Sequence, residues 1–292
     1  VHFNPPRKPL PLDELPLPDR GMLGKGYYDI LSRGKRFSLI ITSRGCPFRC
    51  RFCSASAYGR YRERSIGNVK EELESLKNGG FDDILFFDDM FTANKERLKA
   101  ICSTLRSLGI SWRCMSRVDT VDRETLEMMK ASGCYQILFG VESGSSSMLK
   151  RMRKGITKDS VRRTFRDCEK LGIETVAFFI IGYPGENRVT VEETISFCDE
   201  LMPDFVTFQR FVSVPGSEAY ESIKKGDLRM TMSNREADEA VSEAYRRYYI
   251  RPRYVLARAR RMGGFWDYIR FITQNIRFWV YRRGTLWESL RR

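Results

Sequence analysis

Three cysteines stand within eight residues, in the stretch Gly45-Cys46-Pro47-Phe48-Arg49-Cys50-Arg51-Phe52-Cys53, and no fourth lies close by. Their spacing is C-x3-C-x2-C. A cubane iron–sulfur cluster usually takes four thiolates, one per iron. A loop that supplies three leaves one iron open, and an open iron can bind a reactant. Cys46, Cys50 and Cys53 are therefore the candidate metal ligands and the centre of any redox chemistry.

Three plainer accounts compete. The same positions share one face of a helix, as buried core cysteines do, but Gly45, Pro47, Arg49 and Arg51 give a loop composition. Structural zinc wants four ligands, commonly in paired knuckles; the sole histidine is His2, and no second knuckle exists. An odd group of three thiols in a chain expected to work in a reducing compartment argues against disulfides. One histidine also removes triad and histidine acid–base chemistry from consideration. The other cysteines, Cys102, Cys114, Cys134, Cys168 and Cys198, are widely spaced in apolar patterns and read as core.

The elements that must position this loop follow from the apolar patterning. Strand-like runs at 38–42, 83–87, 111–116, 135–141, 174–181 and 205–208 alternate with helix-like segments at 69–77, 95–108, 123–130, 160–171, 191–201 and 217–224. Such alternation predicts parallel strands with crossover helices. The expected fold class is α/β: a partial (β/α)6 TIM-like barrel with a helical C-terminal extension. Reactive groups then gather at the carboxyl ends of the strands. The cysteine loop follows the first strand, Asp88-Asp89 the second, Arg117 the third, Glu142-Ser143 the fourth and Ile180-x-Gly182 the fifth.

The phrase TSRGCPFRCRFC resembles the signature of the radical S-adenosylmethionine (SAM) superfamily, and the resemblance extends over about 37–220. It implies that the three cysteines hold a [4Fe–4S] cluster whose open iron is chelated by the amino and carboxylate groups of SAM. The reduced cluster would pass an electron to the sulfonium, giving methionine and a 5′-deoxyadenosyl radical that takes a hydrogen atom from substrate. Phe52 would pack near the adenine. Asp88 and Asp89 occupy the place that meets the SAM amino group, in a form that departs from the widespread Gly-Gly-Glu; a helix N-cap is their plain alternative. Glu142 resembles the acidic residue that meets the ribose or amino-acid part, with Ser143 beside it. Arg117 would offer its planar fork to the SAM carboxylate, or form a loop salt bridge. Ile180 and Gly182 resemble the adenine-binding turn, where small residues permit close approach.

The phrases FFDDMFT, FGVESGS, MLKRMRKGIT and IIGYPGE resemble the cobalamin-binding branch (class B). In that branch a Pro-rich segment, here LPLPDRGMLGKGYYDI, joins an upstream cobalamin domain to the barrel. The expectation is a fragment of a longer protein, with cobalamin held by a domain absent from this chain. The expected organisation is a Pro-rich linker at 1–34, a core at 35–225 and a basic, aromatic-rich helical extension at 226–292. Residues 1–34 also read simply as an extended tail across the barrel.

Residues 246–292 carry 13 arginines, no lysine and two acids, Asp267 and Glu288. That is +11 of the chain's +14, which leaves +3 for residues 1–245. Aromatics interleave, and apolar residues recur at helical spacing over 265–281. Three readings stand: an amphipathic helix at an anionic membrane surface, an RNA-binding segment, or helices packed on the barrel with solvated arginines. Nucleic acid ranks last, because no binding module is recognisable. The expected activity is reductive SAM cleavage serving C-methylation or oxidative cyclisation of a small apolar substrate. Its electrons would come from a flavodoxin or ferredoxin, in the cytoplasm or at the membrane periphery. The alternatives are a methylthiotransferase acting on tRNA or protein, and an electron-transfer protein with a saturated cluster.

Overall fold

A computed structural model describes residues 9–22, 36–55 and 60–254 of the chain. The chain divides into two compact units, Val1–Ala244 and Tyr245–Arg292. Among its described residues, eight strands and eight α-helices follow in the order β1 (Phe37–Ile40), β2 (Ser43–Arg44), β3 (Arg62–Glu63), α1 (Ile66–Asn78), β4 (Asp83–Phe86), α2 (Lys95–Leu108), β5 (Ser111–Ser116), α3 (Arg123–Ala131), β6 (Cys134–Glu142), α4 (Ser146–Arg151), α5 (Lys158–Leu171), β7 (Glu174–Ile181), α6 (Arg188–Leu201), β8 (Phe205–Arg210), α7 (Glu218–Lys225) and α8 (Asn234–Tyr249), whose last turn crosses into the second.

Six strands pair in parallel, in the order β1-β4-β5-β6-β7-β8. This is the partial barrel that the alternating pattern predicts, with β1 and β8 as its two free edges. The pleat explains the two faces. On β7, Thr175, Ala177, Phe179 and Ile181 are buried, while Glu174, Val176, Phe178 and Ile180 are only half-covered. One set packs under the helices and the other faces the concave side. The helix layer is dense around Trp112, whose ring meets Phe86 and Phe91 edge-on at 5.6 Å. The Trp112 indole N–H donates to the Ser132 carbonyl at 3.0 Å, so the buried polar atom is satisfied.

The helices start where side chains cap them. Asn94, Asp122, Thr157 and Asn187 each accept a backbone N–H of the first turn of α2, α3, α5 and α6, each cap adding about 1 kcal/mol. Placing these starts at the strand ends fixes the length of every β–α loop on the active face.

The sequence expectation lacks two features. One is the short antiparallel ribbon β2–β3, paired Ser43↔Glu63 and Arg44↔Arg62, which flanks the cysteine loop. The other is α4, a six-residue helix after β6. Both are too short for a periodicity to show.

The described part of the N-terminal segment is tied to the edge strand. Arg20 donates to Ser38 Oγ (2.8 Å), to the Leu39 carbonyl (2.7 Å) and to Glu72 (2.6 Å). Asp13 accepts the Ser65 N–H at the start of α1. These contacts occupy polar groups that an edge strand leaves open. Residues 23–35, half of the expected linker phrase, lie outside the described residues. Of the second unit, Tyr245–Tyr254 are described, and Tyr248 and Tyr249 meet Tyr254 with ring centroids 4.9 and 5.2 Å apart. The expected amphipathic helix at 265–281 lies outside the described residues. Among the described residues no helix is long and apolar enough to cross a membrane.

Candidate functional site

The cysteine loop leaves β1 and is pinned at its root. Asp88, buried at the end of β4, accepts Thr42 N–H (2.6 Å), Thr42 Oγ1–H (2.8 Å) and Ser43 N–H (2.5 Å). Burial holds its carboxyl above the usual carboxylate range, an upward push that these three donors only partly offset. Arg97 Nη2 holds the Thr42 carbonyl from below at 2.9 Å. Asp89 takes the next contact, accepting Gly45 N–H at 2.9 Å. Further along, Arg51 N–H donates to the Met152 carbonyl (3.0 Å), and the Arg51 carbonyl accepts Ala219 N–H (2.8 Å).

These anchors turn the three thiols toward one cavity of about 520 Å³. Cys46, Cys50 and Cys53 are half-buried and line it together. Two of the sulfurs accept an N–H: Arg117 Nη1 reaches Cys50 at 3.4 Å, and Ala55 N–H reaches Cys53 at 3.4 Å. Burial pushes the Cys46 and Cys53 thiols up, and the neighbouring cysteines add to the shift. N–H donors on sulfur and a half-buried setting are what tune an iron–sulfur cluster. No three His, Cys, Asp or Glu side chains among the described residues converge on one metal ion. In a cluster each thiolate binds its own iron. The donor set fits a three-thiolate cluster.

Arg117, after β5, stands over the loop. It grips Asp119 bidentately (Nε–Oδ1 2.9 Å, Nη2–Oδ2 2.8 Å), donates to the Lys154 carbonyl (2.5 Å) and lies 3.8 Å over the Phe48 ring. Of its two expected readings, the geometry shows the loop salt bridge, placed at the cavity wall. The fork fixes the guanidinium on the Cys50 sulfur.

Glu142 faces it from the end of β6. The register of β6 against β7 shifts between Gly140 and Glu142, a bulge that turns the Glu142 side chain inward. Its φ is 69°, left-handed for a residue with a Cβ. Arg153 is also left-handed, at 53°, and turns Lys154 in to meet it. Glu142 Oε1 and Lys154 Nζ lie 2.7 Å apart, with side chains 9% and 6% exposed. A Cβ at Gly140 would come within 2.9 Å of Lys154 Nζ and collide with the Glu142 carboxylate. Strain of about 1–3 kcal/mol per left-handed residue persists only where surroundings enforce it. Here two such residues bracket one buried ion pair.

Sequence reasoning missed Lys154. It is one of four cations in 150–154, and the other three are exposed. A charge run of that kind reads as a solvated surface. The apolar wall was equally illegible: Met115, Leu138, Phe178, Phe211 and Val214 line the cavity from β5 to the segment after β8.

Of the residues named from sequence, the cavity lining brings together Cys46, Cys50, Cys53, Phe52, Asp89, Arg117, Glu142 and Ile180. It does not include Asp88, Ser143 or Gly182. Asp88 is the loop anchor, and neither it nor Asp89 caps a helix, since Asn94 caps α2. Ser143 is buried against Thr194 Oγ1 at 3.0 Å and caps the turn into α4 through Ser145 N–H. Gly182, with φ 86°, donates its N–H to the buried Glu186 carboxylate. Burial pushes Glu186 up to about 7, against two backbone donors that lower it. These three shape the loops that carry the lining.

Comparison with known proteins gives the same picture. The chain is 35% identical over 277 residues to an uncharacterized methyltransferase of Pyrococcus horikoshii, covering 87% of this chain and 60% of that protein. It is 29% identical over 214 residues to an anaerobic magnesium-protoporphyrin IX monomethyl ester cyclase of Rubrivivax gelatinosus, covering 70% of this chain and 38% of that one. The chain therefore spans 60% or less of the length of these relatives. In fold it is similar to the radical SAM methyltransferase TsrM of Kitasatospora setae, solved with cobalamin and a [4Fe–4S] cluster, with a TM-score of 0.62 and 23% identity over 69% of this chain and 38% of that one. Residues 40–198, more than half of the chain, match the model of the Radical SAM superfamily. The chain belongs to the radical SAM superfamily, whose enzymes work with a [4Fe–4S] cluster and SAM.

Proposed function

We propose that this chain is the SAM-cleaving barrel of an enzyme that C-methylates or oxidatively cyclises a small apolar substrate. The observation that carries the reading is the single cavity onto which three loop thiols open opposite a buried Glu142–Lys154 pair. Cys46, Cys50 and Cys53 would hold the cluster. That group supplies one electron to the SAM sulfonium, which splits the C5′–S bond.

The chain's own residues do the rest. Lys154 and Glu142 present one positive and one negative group, matched to the carboxylate and ammonium of an amino-acid moiety. Asp89 offers a second carboxylate on the same side. Phe52 and Ile180 give flat apolar contact for the adenine. Arg117 fixes the loop and donates to the Cys50 sulfur. Met115, Leu138, Phe178 and Phe211 exclude water from the reacting centre and favour an apolar substrate.

Cobalamin, on this reading, belongs to a part of the protein outside this chain, and no residue here is assigned to it. The enzyme would work in the reducing cytoplasm with a one-electron donor of the flavodoxin or ferredoxin class. The basic extension would touch anionic membrane; liposome sedimentation of the full chain against one ending at Tyr245 tests that, and equal sedimentation refutes it. No observation favours methylthiolation. A saturated electron-transfer cluster lacks its fourth thiol in this lining.

The test is anaerobic reconstitution, reduction with dithionite and addition of SAM. The expected product is 5′-deoxyadenosine, with S-adenosylhomocysteine in addition if a methyl group is transferred. Nucleoside no higher than in a Cys50→Ala control would sink the reading.

A further inference from the structure

Arg117 is tied down more firmly than a wall residue needs. It is buried. Its Nε and Nη2 fork onto Asp119 at 2.9 and 2.8 Å, and Nη2 also donates to the Lys154 carbonyl at 2.5 Å. The flat face of the guanidinium lies 3.8 Å over the Phe48 ring. These holds leave Nη1 on the Cys50 sulfur at 3.4 Å. The sulfurs are therefore unequal. Cys53 takes a neutral backbone N–H from Ala55, whereas Cys50 takes a charged donor whose other contacts keep it from swinging away. A hydrogen bond from an ionised donor is roughly twice as strong as a neutral one. Asp119 neutralises the cation, but it is the wetter partner, with its side chain 28% exposed against 6% for Arg117. Solvent screens the carboxylate more than the guanidinium.

We propose that Arg117 sets the reduction potential of the cluster held by Cys46, Cys50 and Cys53, raising it by drawing negative charge from the Cys50 sulfur. The inference rests on the proposed cluster and adds what decides how readily it accepts its electron. Hydrogen bonds to ligand sulfurs are among the protein's levers on such a potential. The reduced cluster carries one more negative charge than the oxidised one, so a fixed cation beside one of its thiolates favours the reduced state. The balance is one electron gained from a one-electron reductant such as dithionite, with no proton moved and no bond made or broken. Arg117 acts here through the Cys50 sulfur, as a positioning residue with an electrostatic effect. A residue that only shaped the loop would need the fork and not the sulfur contact. A residue that only held the SAM carboxylate would matter once SAM is bound and not before.

The test is a potentiometric titration of the reconstituted chain, followed by EPR in the absence of SAM. Arg117→Gln is expected to lower the midpoint by about 59 mV, a tenfold change in the one-electron reduction equilibrium. Arg117→Lys keeps the charge without the fork, and its midpoint is expected to fall by less. Asp119→Asn keeps the guanidinium and an acceptor for its Nε–H, and is expected not to lower the midpoint. An unchanged midpoint in Arg117→Gln overturns the proposal. So does a comparable fall in Asp119→Asn, which would trace the effect to loop order. Failure of both Arg117 variants to hold iron overturns it too, by making the residue part of the scaffold. A shift that appears only after SAM is added assigns Arg117 to that ligand and has the same result. A wild-type cluster whose EPR signal ignores SAM sinks the SAM reading alone and leaves the midpoints to be compared. A wild-type chain that takes up no iron removes both.

Discussion

Two populations of cysteine share this barrel. Cys46, Cys50 and Cys53 sit half-buried in a polar loop, with N–H donors on the Cys50 and Cys53 sulfurs and a cavity in front. Cys102, Cys114, Cys134, Cys168 and Cys198 are buried on the strands and helices of the core. Burial pushes Cys102 up to about 11 and Cys168 to about 12, and raises Cys114 and Cys134 well above the ordinary thiol value. Those thiols remain neutral packing atoms. Cys46 and Cys53 are raised as well, yet the loop thiols face open space where a metal can replace the proton. Position in the topology, at a strand's carboxyl end or inside the sheet–helix layer, separates a ligand from a filler.

The largest effect that would break this contrast is Cys50→Ala. It is expected to cost cluster iron and to lower SAM cleavage on the order of 10³-fold, read as 5′-deoxyadenosine after reconstitution. Activity near wild type would erase the distinction between the populations.

Next comes the ion pair on the cavity wall. Lys154→Met leaves Glu142 buried without a partner, and the expected loss is about 3–5 kcal/mol in urea unfolding. Removing both charges, with Glu142→Gln added, should return more than half of that stability without restoring SAM affinity. A double variant as unstable as the single one would show that the pair is not coupled.

Glu186 tests whether an acid can behave like the core thiols. Its carboxyl is pushed from an ordinary 4.5 up to about 7. The folded chain therefore holds a proton that the unfolded chain releases between those values. The stabilising contribution is complete below about 4.5 and is lost as pH rises through about 7. It amounts to on the order of 3 kcal/mol at most. Glu186→Gln keeps the acceptor for Gly182 N–H and should flatten this loss between pH 5 and 8, measured as urea midpoints. Parallel curves for the two proteins would place the carboxyl's titration elsewhere.

The smallest effect sharpens the comparison from the other side. Cys114→Ala should leave SAM cleavage within about twofold and cost about 1–2 kcal/mol of stability. A variant that also lost iron would make Cys114 more than filler.

What the sequence showed and hid follows from range. The cysteine spacing is local, so the ligand loop was legible outright. β7 was legible to the residue, because an uninterrupted apolar run from Val176 to Ile181, closed by Gly182, fits little else. The order of the six strands followed from simple alternation. The division of labour between Asp88 and Asp89 was hidden, since adjacent identical residues point to opposite faces of a strand end. Lys154 was hidden more deeply. Its inward turn depends on left-handed backbone at Arg153, on a bulge before Glu142 and on the missing side chain at Gly140. None of these leaves a pattern of its own in the chain.

The ties on the cysteine loop have a consequence for biosynthesis. Its fixed points are Asp88, Arg117, Met152 and Ala219, drawn from the segments after β4, β5, β6 and β8. A nascent chain halted at Arg210 would hold the loop by the first three ties and lack the fourth. The complete cradle for iron and sulfide therefore exists only once α7 has folded back onto the loop.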